Sequence, residues 1–474
     1  MISIKEIFLA LMNHLKPLIV LMKRRTRTAV GLSDTPGLTL VGALAFCLLV
    51  SPVRGQQITT GINRGAPTIR IAVTEFPAQS SDANLSSLTQ EFNSVLWNDL
   101  DNAGIFDLVN RSFYPLKLPV APADVVFDQW ANPPVSTQML VFGKMEISNS
   151  NLVVTAYLHD VKNPGGPSVL AKRFVATPDE ISTRETAHRF ANEIVQTLGG
   201  GVPGIALTKI VFVSNRSGHT GRSEVYVMDY DGFNPHPITS YGSLSLTPRW
   251  SPDNSRLAFM SYAGGNPEIV VYSLESHRLL PFLHLSGMNT TPAWSPDGKK
   301  LAFSSSMGGD SEIYVANPDG SDLQRLTFSP SVDISPAWNP KTGNEIAFVS
   351  DRSGTPQIYI MNADGSNLRR LISGGGDASE PSWSPNGQFM AFQWRVSETG
   401  TYDIYVIDIA SGQITQLTHD SGRNEHPTWS PDGRHLVFSS TRQGSRQIWT
   451  MLADGSNPKQ LTTQGDNWNP NWSN

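Results

Sequence analysis

The chain has 474 residues, 39% of them apolar and only 16% charged, with 39 Gly, 33 Pro and a formal net charge of −5. That length suits two or three domains, and so little charge beside so many turn formers favours short strands over long charged helices. The sole cysteine, Cys47, excludes a disulfide framework, a thiolate zinc site and a cysteine nucleophile in the body of the chain.

From Met22 the sequence carries Lys23, Arg24, Arg25 and Arg27, then an apolar run from Leu38 to Val50, then Ser51-Pro-Val-Arg-Gly55. A basic segment, an apolar run of about a dozen residues and small residues beyond it describe a secretory signal peptide. Residues 1–55 are therefore expected to be a leader with a possible upstream extension, cleaved near Gly55. The run falls short of the roughly 20 residues a bilayer span needs, so no direct membrane span is expected. Phe46 stands where a lipidated cysteine requires a small neighbour, which argues against a lipid on Cys47. Removing residues 1–55 takes away seven of 36 Lys/Arg and two of 41 Asp/Glu, leaving a net charge of −10. Such a surface repels phosphate backbones, so no nucleic-acid partner is expected.

Residues 56–200 predict an N-terminal α/β domain. Ile69–Val73 reads as a strand, and Leu85, Leu88, Phe92, Val95 and Leu96 share one helical face. Phe106–Val109, Met139–Phe142 and Leu152–Leu158 are strand-like. A second helix is expected from Thr177-Pro-Asp-Glu180, with Thr177 as cap, an apolar face of Ile181, Ala187, Phe190, Ile194 and Leu198, and Gly199-Gly-Gly201 as its end.

Residues 205–474 repeat. Trp250-Ser-Pro-Asp-Asn254, Trp294-Ser-Pro-Asp-Gly298, Trp338-Asn-Pro-Lys-Thr342, Trp383-Ser-Pro-Asn-Gly387, Trp429-Ser-Pro-Asp-Gly433 and the final Trp472-Ser-Asn474 are spaced by 44, 44, 45, 46 and 43 residues. This is the period of a four-stranded propeller blade. Pro292-Ala-Trp294 reads as an inner strand, Leu301–Phe303 as the second, Glu312–Val315 as the third and Leu323–Thr327 as the fourth. The Asp-Gly pairs at 231, 319, 364 and 454 read as turn formers, not calcium ligands, and the tryptophans as core. The unit that begins at Lys209 lacks an inner strand, and Asn469–Trp472 at the other end lacks a blade. The expected fold is thus a six-bladed β-propeller, closed by its last strand and preceded by the small α/β domain.

The segments Lys209–Ser214 and Tyr226–Gly232, the Trp-Ser-Pro-Asp-Gly blades, the ending on Asn-Trp472-Ser and the early Ile71–Phe76 strand together resemble the TolB family of the Tol–Pal envelope system. The resemblance implies a monomeric, non-catalytic periplasmic scaffold with two partners. One is the lipoprotein Pal, at the propeller; the other is the inner-membrane protein TolA, at the extreme N-terminus, here Gln56, Gln57, Ile58, Thr59, Thr60, Gly61, Ile62, Asn63 and Arg64. Blade logic puts the tight turns on one axial face and the longer connections on the other, where binding concentrates. Asn289, Thr290, Thr291, Asp333, Ile334, Ser379, Glu380, Glu425 and His426 are accordingly nominated as the Pal-facing rim loops, although Met288-Asn289 stands where the family has a His-Asn pair.

Two other classes compete. A propeller-bearing hydrolase would need a Gly-x-Ser-x-Gly elbow, which the sequence lacks, and His236, His277, His284, His419, His426 and His435 follow no pairing pattern. A glycan-binding propeller could use Trp394, Trp449 and Trp468, which fall outside the shared phase, although packing explains them more simply. No catalytic residue, metal ligand or cofactor is assigned.

Overall fold

A computed structural model describes residues 68–79, 82, 84–218 and 221–474. The leader, Cys47 and the segment Gln56–Arg64 lie outside the described residues.

The first part is a five-stranded sheet with two long helices on one face. Its elements are β1 (Ile69–Val73), α1 (Leu85–Asn102), β2 (Phe106–Leu108), α2 (Phe127–Ala131), β3 (Met139–Ser148), β4 (Asn151–Asp160), β5 (Leu170–Ala176) and α3 (Glu180–Leu198). The strand order is β2-β1-β3-β4-β5, with β1 parallel to both neighbours and the remainder antiparallel. Leu85, Phe92 and Leu96 of α1 and Phe190 and Ile194 of α3 bury against Ile71, Val73 and Val154 of the sheet. Gly143 permits this packing: a Cβ there would lie 2.3 Å from the Phe76 ring, so only glycine lets that ring rest on β3. On the opposite face, Trp130 and Val135 cover Ala72, Leu140 and Phe142.

Two expectations about α3 are corrected. Its cap is Asp179, whose carboxylate accepts the Ser182 N–H at 2.8 Å, and not Thr177. The helix therefore starts two residues later, and Ile181 is outward at 61% exposure because 3.6 residues per turn place it opposite Phe190 and Ile194. Strand β5 escaped the sequence reading because Lys172 and Arg173 interrupt its apolar letters.

From Lys209 to Trp472 the chain forms six four-stranded sheets. Asn467–Trp472 pairs antiparallel with Lys209–Ser214, setting Trp472 opposite Ile210, so the last strand completes blade 1 as expected. Blades 2 to 6 begin at the inner strands Ser245–Trp250, Asn289–Trp294, Asp333–Trp338, Asp377–Trp383 and Asn424–Trp429. The fourth strands are shorter than expected, Gln324–Arg325 in place of Leu323–Thr327.

The turn after each tryptophan is built by its own side chains. Ser295 Oγ donates to Asp297 Oδ1 at 2.7 Å and accepts the Lys300 N–H at 2.9 Å, while Gly298 takes φ +67°. Asn254, in the glycine position of blade 2, takes φ +57°. In the second turn Asp319 Oδ1 accepts the Ser321 N–H at 2.9 Å, so this aspartate is held as a turn former.

The deepest layer is phenylalanine. Phe212, Phe259, Phe303, Phe348, Phe392 and Phe438, one per blade on the second strand, are fully buried. The tryptophans sit nearer the axis and join blades: the indole N–H of Trp294, Trp383 and Trp429 donates to the carbonyls of Arg249, Ala337 and Ser382 at 3.3, 3.1 and 3.1 Å, each on the preceding inner strand. Among the described residues no helix is long and apolar enough to cross a membrane.

Candidate partner-binding faces and axial channel

Each inner strand carries a register shift, and the residue there takes a left-handed backbone: Thr247, Thr291, Ser335, Glu380, His426 and Asn469, at φ +47° to +56°. This bulge re-aims the wall of the channel. Thr291, Ser335, Glu380 and His426, with the six inner-strand tryptophans, line an axial cavity of about 470 Å³. Its polar groups are mostly spoken for. Ser335 Oγ donates to Glu380 at 3.3 Å, the Ser335 N–H donates to Thr291 Oγ1 at 3.2 Å, and Arg249 lies 3.9 Å from Glu380. The His426 N–H donates to Gln393 Oε1 at 2.9 Å, and burial pushes the His426 imidazole pKa down, keeping it neutral. Among the described residues no three His, Cys, Asp or Glu side chains converge to hold a metal ion.

At the loop end of the channel a clamp recurs. The arginine two residues beyond the second strand donates through Nε to the serine that ends that strand and through Nη2 to the first residue of the inner strand. Arg352 joins Ser350 (2.8 Å) and Asp333 (2.7 Å), Arg442 joins Ser440 (3.0 Å) and Asn424 (3.1 Å), and Arg216 joins Ser214 (2.9 Å) and Asn467 (3.1 Å). The guanidinium also lies over an aromatic ring each time, Tyr359, Trp449 and Tyr226 respectively.

The tight-turn face carries the α/β domain. Among the described residues, every hydrogen bond and ion pair joining α1 or α3 to a blade falls there. Tyr230 Oη donates to Asp99 at 2.5 Å, His188 Nδ1 meets the other Asp99 oxygen at 2.8 Å, and Arg184 bridges Glu91 and Asp231 with its guanidinium over Phe233. His435 Nε2 reaches the Asn102 carbonyl at 2.6 Å, and Lys459 pairs with Asp101 at 3.2 Å. Burial alone would lower the His188 pKa, but the hydrogen bond and charge of Asp99, with Asp231 beyond, outweigh it and raise it. Burial and the adjacent Asp99 push the Tyr230 hydroxyl well up, so it stays a donor.

The nine nominated rim residues lie on the inner strands, not in the loops before them. Asn289 is 1% exposed, its amide donating to the Leu285 carbonyl at 3.1 Å, and Asp333, 0% exposed, belongs to the clamp. Glu380 and His426 are buried toward the channel, Glu425 is buried with its carboxylate on Arg423, and Thr290, Thr291, Ile334 and Ser379 are half-buried. The sequence pattern put these strands a few residues short, because their first residues are polar. Trp449 is buried beneath Arg442, Trp394 packs on Phe392 and Tyr405, and Trp468 is half-buried beneath Arg446. The exposed loop-face apolar residues, Phe328 at 76% and Val396 at 51%, went unnoticed because isolated apolar letters in a loop carry no periodicity.

Two family descriptions match the chain: the TolB amino-terminal domain over residues 57–165, and the TolB beta propeller domain over 196–395 and 376–474. The Tol-Pal system protein TolB of Desulfosudis oleivorans is 33% identical over 242 residues, covering 50% of this chain and 53% of that protein. Its counterpart in Blochmanniella pennsylvanica is 28% identical over 220 residues, covering 46% and 47%. The chain thus spans about half the length of the curated relatives it matches. The crystal structure of TolB from Acinetobacter baumannii superposes with a TM-score of 0.71 at 24% identity, over 86% of this chain and 98% of that one, which is a likeness of fold.

Proposed function

The chain belongs to the TolB family, and from that premise we propose that it is a non-catalytic periplasmic scaffold of the Tol–Pal system. In this reading residues 1–55 are removed on export. The propeller holds the lipoprotein Pal, the segment Gln56–Arg64 holds TolA, and the link maintains the outer membrane and assists constriction at division. One observation carries the reading. The tight-turn face is engaged at blades 6 and 1 by α1 and α3, whereas the loop face bears unlike connections and the exposed aromatic Phe328 beneath Arg325, at 4.8 Å. Aromatic side chains on a rigid frame are the usual anchors of a protein interface.

The test is capture of purified Pal from the same organism by the exported protein. Phe328→Ala should weaken capture by about tenfold or more, as loss of an interface anchor does, without lowering Tm. Unchanged capture by this variant, together with unchanged capture by variants at Ser379 and Thr290, removes Pal from the loop face. For TolA, a chain beginning at Pro67 should lose capture; undiminished capture dismisses the tail. N-terminal sequencing of the periplasmic protein tests the leader.

A further inference from the structure

The loop face is electrically lopsided. In blades 6 and 1 the connections 441–446, 461–466, 215–223 and 238–244 hold four arginines, Arg216, Arg222, Arg442 and Arg446, against one acid, Asp466. The corresponding connections of blades 2 and 3, residues 262–267, 281–288, 306–311 and 326–332, hold no Lys or Arg at all. Three loop-face arginines elsewhere in this net-acidic chain meet carboxylates: Arg352 with Asp333 at 2.7 Å, Arg395 with Asp377, Arg423 with Glu425 at 2.5 Å.

The clamp explains why blades 6 and 1 differ. Where blade 4 places Asp333 against its arginine, blades 6 and 1 place Asn424 and Asn467, which fill the same hydrogen-bonding role with no charge. Arg442 and Arg216 are therefore held in position without an ion-pair partner among the described residues; burial presses both guanidinium pKa values down. Arg446, in the same connection as Arg442, lies over Trp468, 5.5 Å from the ring centre, and among the described residues no carboxylate is within ion-pair distance of it. Glu425 lies nearby but is taken by Arg423; Asp466 accepts the Arg446 backbone N–H; and Asp403, the acid nearest Arg442, accepts from Thr418, Gln416 and Asn424.

We propose that the loop face of blades 6 and 1 receives an acidic, extended peptide segment of a protein partner, its carboxylates on Arg222, Arg446 and the clamp arginines and its apolar groups on Trp468. The proposal rests on the loop face being the partner-binding face and specifies the chemistry that face selects. Fixed guanidinium groups without counter-ions suit carboxylates, which they bind in a planar fork. The ring beneath Arg446 suits a peptide side chain.

The test uses the exported protein and a fluorescein-labelled peptide of about ten residues alternating Glu with Gly and Ser, read by anisotropy, beside its Gln counterpart and phosphatidylglycerol vesicles. The Glu peptide should bind saturably and weaken by about tenfold or more between low and physiological salt, while the Gln peptide does not bind. The double variant Arg222→Gln, Arg446→Gln should weaken binding by about tenfold with Tm unchanged, and Arg446→Lys should restore part of it. Absence of saturable binding, equal binding by the double variant, or tighter binding of vesicles than of peptide overturns the proposal. Phe328 lies in the other half of the face, so its effect on Pal capture is decided separately.

Discussion

The two ends of the propeller are made from the same strands and obey different rules. At the tight-turn end the sequence repeats, the serine and aspartate of each turn satisfy the backbone, and an indole from one blade reaches the carbonyl of the preceding one. At the loop end the connections differ blade by blade, and a shared clamp survives only where an arginine faces an Asx residue. Repetition marks the scaffold, because every blade must solve the same packing problem; departure from it marks where the surface is free to recognise something. The α/β domain also conforms, since its buried polar contacts are spent on the repetitive end.

The contrast can be broken most severely at the tight-turn end. Trp383→Ala should cost about 3–5 kcal/mol in urea denaturation, through a cavity and a lost interblade hydrogen bond, whereas Phe328→Ala on the loop face should cost almost nothing. Equal losses would erase the division between scaffold and surface. At the base of the loop face the clamp should behave as scaffold: Asp333→Ala leaves Arg352 without its carboxylate and should cost about 2 kcal/mol, with Pal capture falling only as far as folding does.

The domain contact should show a pH signature. The raised pKa of His188 means that its protonated form stabilises the fold fully below the ordinary histidine value and loses this as pH rises through the folded value. His188→Gln should therefore lower Tm most at mildly acid pH and least at alkaline pH; a constant difference would assign the contact to shape alone. The smallest effect belongs to the bulges. Thr247 occupies a left-handed conformation that costs a β-branched residue energy. Thr247→Gly should accordingly change stability by less than about 0.5 kcal/mol, although glycine in an ordinary strand costs more.

Much of the fold was legible because the repeat is a local statement made six times. The Trp phase, the Pro-Asp-Gly turns and the orphan strand at each end sufficed to fix blade number and closure without any long-range information. The site was legible only in outline. The turn chemistry told which connections are tight, yet it did not tell that Asn289 and Asp333 are the first residues of strands and are buried, because polar letters at a strand end look like loop.

By itself, then, the sequence determined what periodicity and turn chemistry can carry: the array, the order of its strands, and the helical faces of the first domain. Tertiary structure alone decided the rest. It set Asp99, His188 and Tyr230 together although they are distant in the chain, bent each inner strand so that Glu380 and His426 face the axis, and put Asn467 from the last strand against Arg216 near the first. The physical reason is range: a hydrogen bond between neighbours in sequence leaves a spacing that can be read, whereas a charge left unpaired across a closed ring leaves no local trace.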